Sequence, residues 1–175
     1  MNMNNLLSVW LVPQKDDENY LSKIIQDLDK EYNAPIFTPH LTLFGNISIE
    51  LDKLKSTIDD VFDKVKPFEI QKTRINQSEA FFKTVFIEFE LNNILKNLFT
   101  AFSEKTDKRD LSTFKPHVSL IYKTMPEDEK LKIIEKLEVK DKYVINRVFI
   151  NAPKIGDTDH HDVESWRTLY KKTLI

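Results

Sequence analysis

The sequence predicts an α+β fold in which two β-α-β-α-β lobes share one body and face each other across a cleft. Two observations predict it. Apolar residues switch between strand and helix spacing along the chain, with prolines at several of the joints. A segment of the first half, Phe37-Thr38-Pro39-His40-Leu41-Thr42-Leu43, matches Phe114-Lys115-Pro116-His117-Val118-Ser119-Leu120 in the second half, at an offset of 117 − 40 = 77 residues. Each copy follows one helical pattern and precedes another. No Ser/Gly linker separates the halves, so residues 1–175 are expected to form one domain whose lobes are related by a pseudo-twofold axis.

The elements follow in order. Residues 6–12 read as a buried strand stopped by Pro13. Residues 16–32 carry Tyr20, Ile24, Leu28 and Tyr32 on one helical stripe, with Asp16 or Asp17 as the N-cap. Pro35 and Pro39 frame a connection to a strand over 40–47. A second helix over 48–65 holds Leu51, Leu54, Ile58, Val61 and Phe62 at helical spacing, and Pro67 ends it. Residues 68–77 and 81–90 read as two strands joined by a polar turn. Asn92 or Asn93 then caps a helix with Leu95, Leu98, Phe99 and Phe102 on its apolar face. A polar link over 104–110 leads to a strand over 117–122. Pro126 opens a helix through Leu137, at the position where a missing N–H is least costly. Residues 143–150 form a strand, 152–162 a polar loop, and 163–169 a closing strand.

Composition narrows the chemistry. With 41% hydrophobic and 31% charged residues, the chain is neither a disordered tail nor a membrane protein. It has no cysteine, which excludes thiol nucleophiles, disulfides, iron–sulfur clusters and Cys-bound zinc. Its two glycines, Gly45 and Gly156, are too few and too far apart for a Gly-rich phosphate loop or a dinucleotide fingerprint. Net charge is −2, from 26 basic and 28 acidic residues, without a Lys/Arg block. Long nucleic acid normally demands a basic stripe and is not expected as a partner. The first ten residues lack a cationic leader, and no run approaches the roughly 18 apolar residues of a spanning helix. A soluble cytoplasmic protein, monomeric and without membrane contact, is expected.

The repeated strand carries the chemistry. Side chains at i and i+2 of a strand point to the same face. His40 and Thr42 therefore project together, as do His117 and Ser119. One strand histidine is more often a satisfied structural residue than a functional one. Two copies in matching context are different. Proline is about 5% of residues, so its chance occurrence before both histidines is on the order of 1 in 400. If the lobes face each other, two imidazoles and two hydroxyls converge. Two imidazoles divide acid–base work near neutral pH, and two hydroxyls donate to phosphate oxygens. That set is competent for metal-free attack of water on a phosphodiester. A structural duplication without chemistry is the bland alternative.

The paired Pro-His-Leu-Thr-Leu and Pro-His-Val-Ser-Leu elements resemble the two-histidine (2H) phosphoesterase superfamily. Within it the chain is similar to the cyclic phosphodiesterases of plants and yeast. The segments that carry the likeness are Ser8-Val9-Trp10-Leu11-Val12-Pro13, Phe81-Phe82 before a strand, His117-Val118-Ser119-Leu120-Ile121-Tyr122, and Glu164-Ser165-Trp166. The resemblance implies antiparallel sheets flanked by helices around a central cleft. It implies hydrolysis, without metal or cofactor, of ADP-ribose 1″,2″-cyclic phosphate to the 1″-phosphate, and of nucleoside 2′,3′-cyclic phosphates to 2′-phosphates. It makes His40 and His117 the acid–base pair and Thr42 and Ser119 the phosphate ligands, with Tyr122 near the substrate. Strict alternation puts Tyr122 on the face opposite His117 and Ser119, so this placement requires a twist or bulge. Plant members carry cysteines, so any redox control there has no counterpart in this chain.

Trp10, Phe44, Phe81 and Phe82 are candidates for an adenine or ribose wall, with Trp10 and Phe82 preferred as substrate-binding residues. Ordinary core is the competing role for each. Phe44 alternates in phase with His40 and Thr42 and is expected to border the same cleft. Lys83 and Arg147 are candidate cations for a diphosphate, or else solvated surface charges. His160 and His161 read as part of a solvated loop and not as a metal site. Two other functions remain open: cleavage of 2′,5′-linked or cyclic oligonucleotides or RNA ends by the same residues, and nucleotide binding without turnover.

Overall fold

The computed structural model describes residues 6–153 and 162–175. Seven strands and four helices alternate along them: β1 (Leu7–Pro13), α1 (Lys15–Tyr32), β2 (Leu41–Ile47), α2 (Leu51–Val61), β3 (Phe68–Gln77), β4 (Val85–Phe89), α3 (Asn93–Lys105), β5 (His117–Ile121), α4 (Glu127–Lys136), β6 (Lys142–Ala152) and β7 (Arg167–Thr173). All strand pairs are antiparallel. The α+β assignment and the element order agree with the reading from sequence.

The strands of both halves join one sheet. Its order is β1-β2-β5-β4-β3-β6-β7, and β1 also pairs with β6. Six strands thus close into a barrel-like ring, and closure leaves few exposed edges. The pairing pattern of the ring is unchanged when β1 exchanges with β4, β2 with β5 and β3 with β6. Strand β6 makes this closure by length. One edge lies along β1, while its other edge is shared by β3 (through residues 142–145) and β7 (through residues 147–152).

Side-chain alternation divides the sheet into two faces. Along β1, Leu7, Val9 and Leu11 enter the main core, while Trp10 and Val12 pack with Phe149 and Trp166 on the other face. The helices cover the core face: Leu21 and Leu28 of α1, Leu54 and Ile58 of α2, Leu95, Phe99 and Phe102 of α3, and Ile133 of α4 are buried there. Helix α3 starts on a side-chain cap, with Asn92 Oδ1 accepting from the Leu95 amide at 2.9 Å. The N-cap of α1 is Gln14, not Asp16 or Asp17. Asp17 is instead buried one turn in, where it accepts from Val144 N at 2.9 Å and Lys140 Nζ at 3.0 Å and ties α1 to β6.

Three elements depart from expectation by more than two residues. Helix α2 is shorter than 48–65, because residues 62–64 form a turn. Residues 81–83 form a 3-10 turn, and β4 begins only at Val85. Residues 163–165 form another 3-10 turn, which delays β7 to Arg167. In the turn at 81–83, Thr84 Oγ1 donates to Phe81 O at 3.0 Å and to Lys123 O at 2.8 Å, bonds that an extended strand does not make. No helix among the described residues is long and apolar enough to cross a membrane.

Candidate active site

The two copies of the repeated motif meet in the sheet. The β2–β5 register pairs Leu41 with Val118, the residue after each histidine. Both are fully buried in the core. Alternation therefore sends His40, Thr42, His117 and Ser119 to the opposite face. These four line one cavity of about 740 Å³ together with Trp10, Phe82 and Tyr122. These are the seven residues that the sequence marks as catalytic or as preferred for substrate binding.

A β-bulge in each copy decides what else joins them. Val9 faces Phe44 while its neighbour Trp10 faces Thr42, which leaves Leu43 as the extra residue of β2. Phe86 faces Ser119 while Val85 faces Ile121, which leaves Leu120 as the extra residue of β5. The two bulges occupy the same place in the repeat, since 43 + 77 = 120. Each reverses the alternation beyond it. Phe44 accordingly turns into the core, beside Phe99 and Phe102, and does not border the cavity as its phase suggested. Tyr122 turns the other way and reaches the cavity, as does Gly45, its counterpart in the first copy (45 + 77 = 122).

The imidazoles are held alike but lie in different surroundings. His40 Nδ1 donates to the Thr38 carbonyl at 2.6 Å, and His117 Nδ1 to the Lys115 carbonyl at 2.8 Å. A carbonyl only accepts, so each Nδ1 carries the proton and each Nε2 is left as the basic atom. His40 is 8% exposed and lies flat against Trp10, with ring centroids 3.5 Å apart and planes within 6°. Burial lowers its pKa from 6.5 to about 3, against the opposing bond to Thr38, and the charge of His117 adds to the lowering. His117 is half-buried and meets the edge of Phe86 at 5.5 Å. Its pKa is also lowered, first by burial and further by Lys83, while the Lys115 carbonyl and Glu88 oppose the shift.

Part of the remaining wall is aromatic. Phe37 stacks on Tyr122 at 3.7 Å, and Phe82 meets Tyr122 edge-on at 5.3 Å. Burial raises the Tyr122 pKa, with Ser119 acting in the opposite direction. Ser119 Oγ donates to the Phe82 carbonyl at 2.8 Å, so the 3-10 turn orients a hydroxyl of the repeat. Lys130, 1% exposed, anchors the approach to that turn through Ser78 O at 3.0 Å and Glu79 Oε1 at 2.5 Å. Phe81 packs behind Phe82 and Tyr122 and does not line the cavity. Arg147 lies outside it as well, bound to Glu18 Oε2 at 2.7 Å. Trp166 joins the wall and sits 5.6 Å from Trp10 and 6.1 Å from Phe82. The sequence marks Trp166 only as part of a family segment; a tryptophan beside the closing strand was the signal. His160 and His161 lie outside the described residues. Among the described residues no group of three or more His, Asp and Glu side chains is placed to hold a metal ion.

A second cavity of about 330 Å³ adjoins the first and shares Trp10, His40, Tyr122 and Trp166 with it. Asn151 lines it with its Oδ1 taken by Thr168 Oγ1 at 2.8 Å. Asn151 Nδ2 and Trp166 Nε1 are buried without a hydrogen-bond partner among the described residues.

The antiparallel α+β frame with two His-x-(Thr/Ser) strands on one cavity wall belongs to a phosphoesterase. More narrowly, the chain belongs to the cyclic phosphodiesterase-like protein family, whose pattern it matches over residues 6–174. It is 24% identical over 168 residues to a cyclic phosphodiesterase of Arabidopsis thaliana, covering 94% of this chain and 93% of the relative. Among solved structures it shares its fold with E. coli LigT complexed with 3′-AMP (TM-score 0.58, 12% identity, 98% of each chain covered). It shares it also with TT0787 of Thermus thermophilus (TM-score 0.60, 14% identity, 97% of each chain covered).

Proposed function

We propose that this cavity hydrolyses a small cyclic phosphodiester, either ADP-ribose 1″,2″-cyclic phosphate or nucleoside 2′,3′-cyclic phosphates, without a metal ion. The observation that carries the reading is the Leu41–Val118 register, which turns two histidines and two hydroxyls onto one wall. The symmetric pairing of the six-strand ring supports a pseudo-twofold relation between the lobes and their function as one domain. The family relationship and the Arabidopsis relative support the reaction class.

In this mechanism one imidazole Nε2 takes a proton from water as the oxygen attacks phosphorus. The other, protonated, gives its proton to the sugar oxygen as the P–O bond breaks. One water is consumed and a phosphomonoester forms. His40 and His117 are the acid–base pair, and Thr42 and Ser119 hold the non-bridging oxygens, Ser119 by turning its one hydroxyl proton from the Phe82 carbonyl to the phosphate. Tyr122, Trp10 and Phe82 bound the sugar. The Trp10 face already carries His40, so Trp10 acts chiefly by holding that ring. The adjoining cavity has room for the far part of an extended nucleotide.

The test is hydrolysis of ADP-ribose cyclic phosphate beside the four nucleoside 2′,3′-cyclic phosphates, with the product phosphate placed by NMR and EDTA present in a parallel set. Turnover unaffected by EDTA is expected. Loss of activity with the chelator, or no turnover of any cyclic phosphate, rejects the reading.

A further inference from the structure

We propose that Lys83 is an anion-binding residue of the cleft, placed on the His117 side to hold a phosphate oxygen whose charge grows as the cyclic ester opens. The proposal rests on the cleft being a phosphate site. Lys83 ends the 3-10 turn of residues 81–83 and lines the same cavity as His117 and Ser119. Its backbone is fixed at both ends: its amide donates to Ala80 O at 2.9 Å, and its carbonyl accepts from Ser78 Oγ. Its ammonium lies 4.4 Å from the centroid of Phe86, the same ring that meets His117 edge-on.

Lys83 is the one Lys or Arg among the described residues of the cavity wall. The carboxylate that acts on it, Glu88, is already engaged by Arg74 Nε at 2.5 Å and Asn76 Nδ2 at 3.0 Å. Partial burial lowers the Lys83 pKa, Glu88 opposes this, and Lys115 adds to it. The ammonium is thus a partly desolvated cation on an aromatic face, and no carboxylate among the described residues makes an ion pair with it. An entering anion supplies the missing counter-charge.

The charge change in the reaction gives the residue a role beyond binding. A cyclic diester carries one negative charge. The monoester product approaches two above its second pKa, near 6. A fixed cation at the phosphate therefore favours the opened form over the closed one. It also bears on His117, which is faced by Lys83 from the 3-10 turn, Glu88 from β4, the Lys115 carbonyl from its own segment, and His40 from the residue before β2.

The experiment compares wild type, K83M and K83R by 31P NMR titration with inorganic phosphate at pH 8, a readout independent of turnover. K83M is expected to bind phosphate on the order of tenfold more weakly, and K83R within about threefold of wild type. In the pH profile of 2′,3′-cyclic CMP hydrolysis, the limb set by His117 is expected to move to higher pH in K83M and to return in K83R, because only the methionine removes the neighbouring charge. Equal phosphate affinity in wild type and K83M, with both folded by circular dichroism, overturns the inference and leaves the reaction class standing. No phosphate binding by wild type up to about 100 mM also overturns it. Phosphate binding that depends on Lys83 without hydrolysis of any cyclic phosphate upholds the anion site and rejects the proposed reaction.

Discussion

The imidazole pair is the smallest unit that bears the proposed function. A positioned acid or base contributes about 10²–10⁴-fold, so His40→Ala and His117→Ala are each expected to lower kcat by that factor while the circular dichroism spectrum is unchanged. Near-wild-type turnover in either variant removes that histidine from the mechanism. Burial lowers the pKa of both rings below the usual 6.5, that of His40 to about 3. One ring must be neutral and the other protonated. The active form therefore populates between the two values, and kcat/KM is expected to follow a bell with its maximum below pH 6.5. Exchanging acid and base roles gives the same curve, so the profile tests the pair and not the assignment. The bound phosphate anion favours both imidazolium forms, and the kcat bell is expected to lie at higher pH than the kcat/KM bell. A pH-independent rate between 4 and 9 contradicts the scheme.

Elements place these residues through two devices, alternation and its interruption. Alternation was legible: His-x-Thr and His-x-Ser on strands announce a shared face, and they have one. The bulges at Leu43 and Leu120 were not, although each leaves two consecutive core residues, Leu43-Phe44 and Leu120-Ile121. A bulge exists only relative to a partner strand, and the partner of β5 at that point, β4, begins 32 residues earlier (117 − 85). The same kind of distance hid the 3-10 turn at 81–83, which depends on bonds from Thr84 to Lys123. Helix ends were easier, because their signals are local. The Asn92 cap was readable, and Asn92→Ala is expected to cost about 1 kcal/mol in urea unfolding. Its activity should match wild type, since α3 does not line the cavity; loss of turnover without loss of stability contradicts this division.

At the scale of the molecule, closing the sheet creates the buried site and makes stability depend on pH. Ring closure brings β1 beside β6 as well as β2, and so holds Trp10 against His40. A histidine buried there folds neutral. Its folded pKa, near 3, lies below the unfolded value of about 6.5, so the unfolded chain binds the extra proton as the solution acidifies. Stability is then complete above about pH 6.5 and declines as pH falls toward 3, by up to about 1.4 kcal/mol per pH unit from this residue. Melting temperature measured from pH 7 to 5 is expected to fall in wild type and to fall less in His40→Asn. Parallel slopes in the two proteins argue against the buried neutral ring.

The chain alone was enough to establish the class of fold, the order of strands and helices, and the doubled histidine–hydroxyl motif. Each depends on periodicities and repeats that lie within a few residues or recur intact. Folding in three dimensions determined that Tyr122 faces the cavity and Phe44 does not, that Lys83 stands beside His117 while Arg147 pairs with Glu18 elsewhere, and that Trp166 completes the wall. Those outcomes follow from strand register, bulge position and ring closure, which are relations between segments far apart along the chain and leave little trace in any one of them.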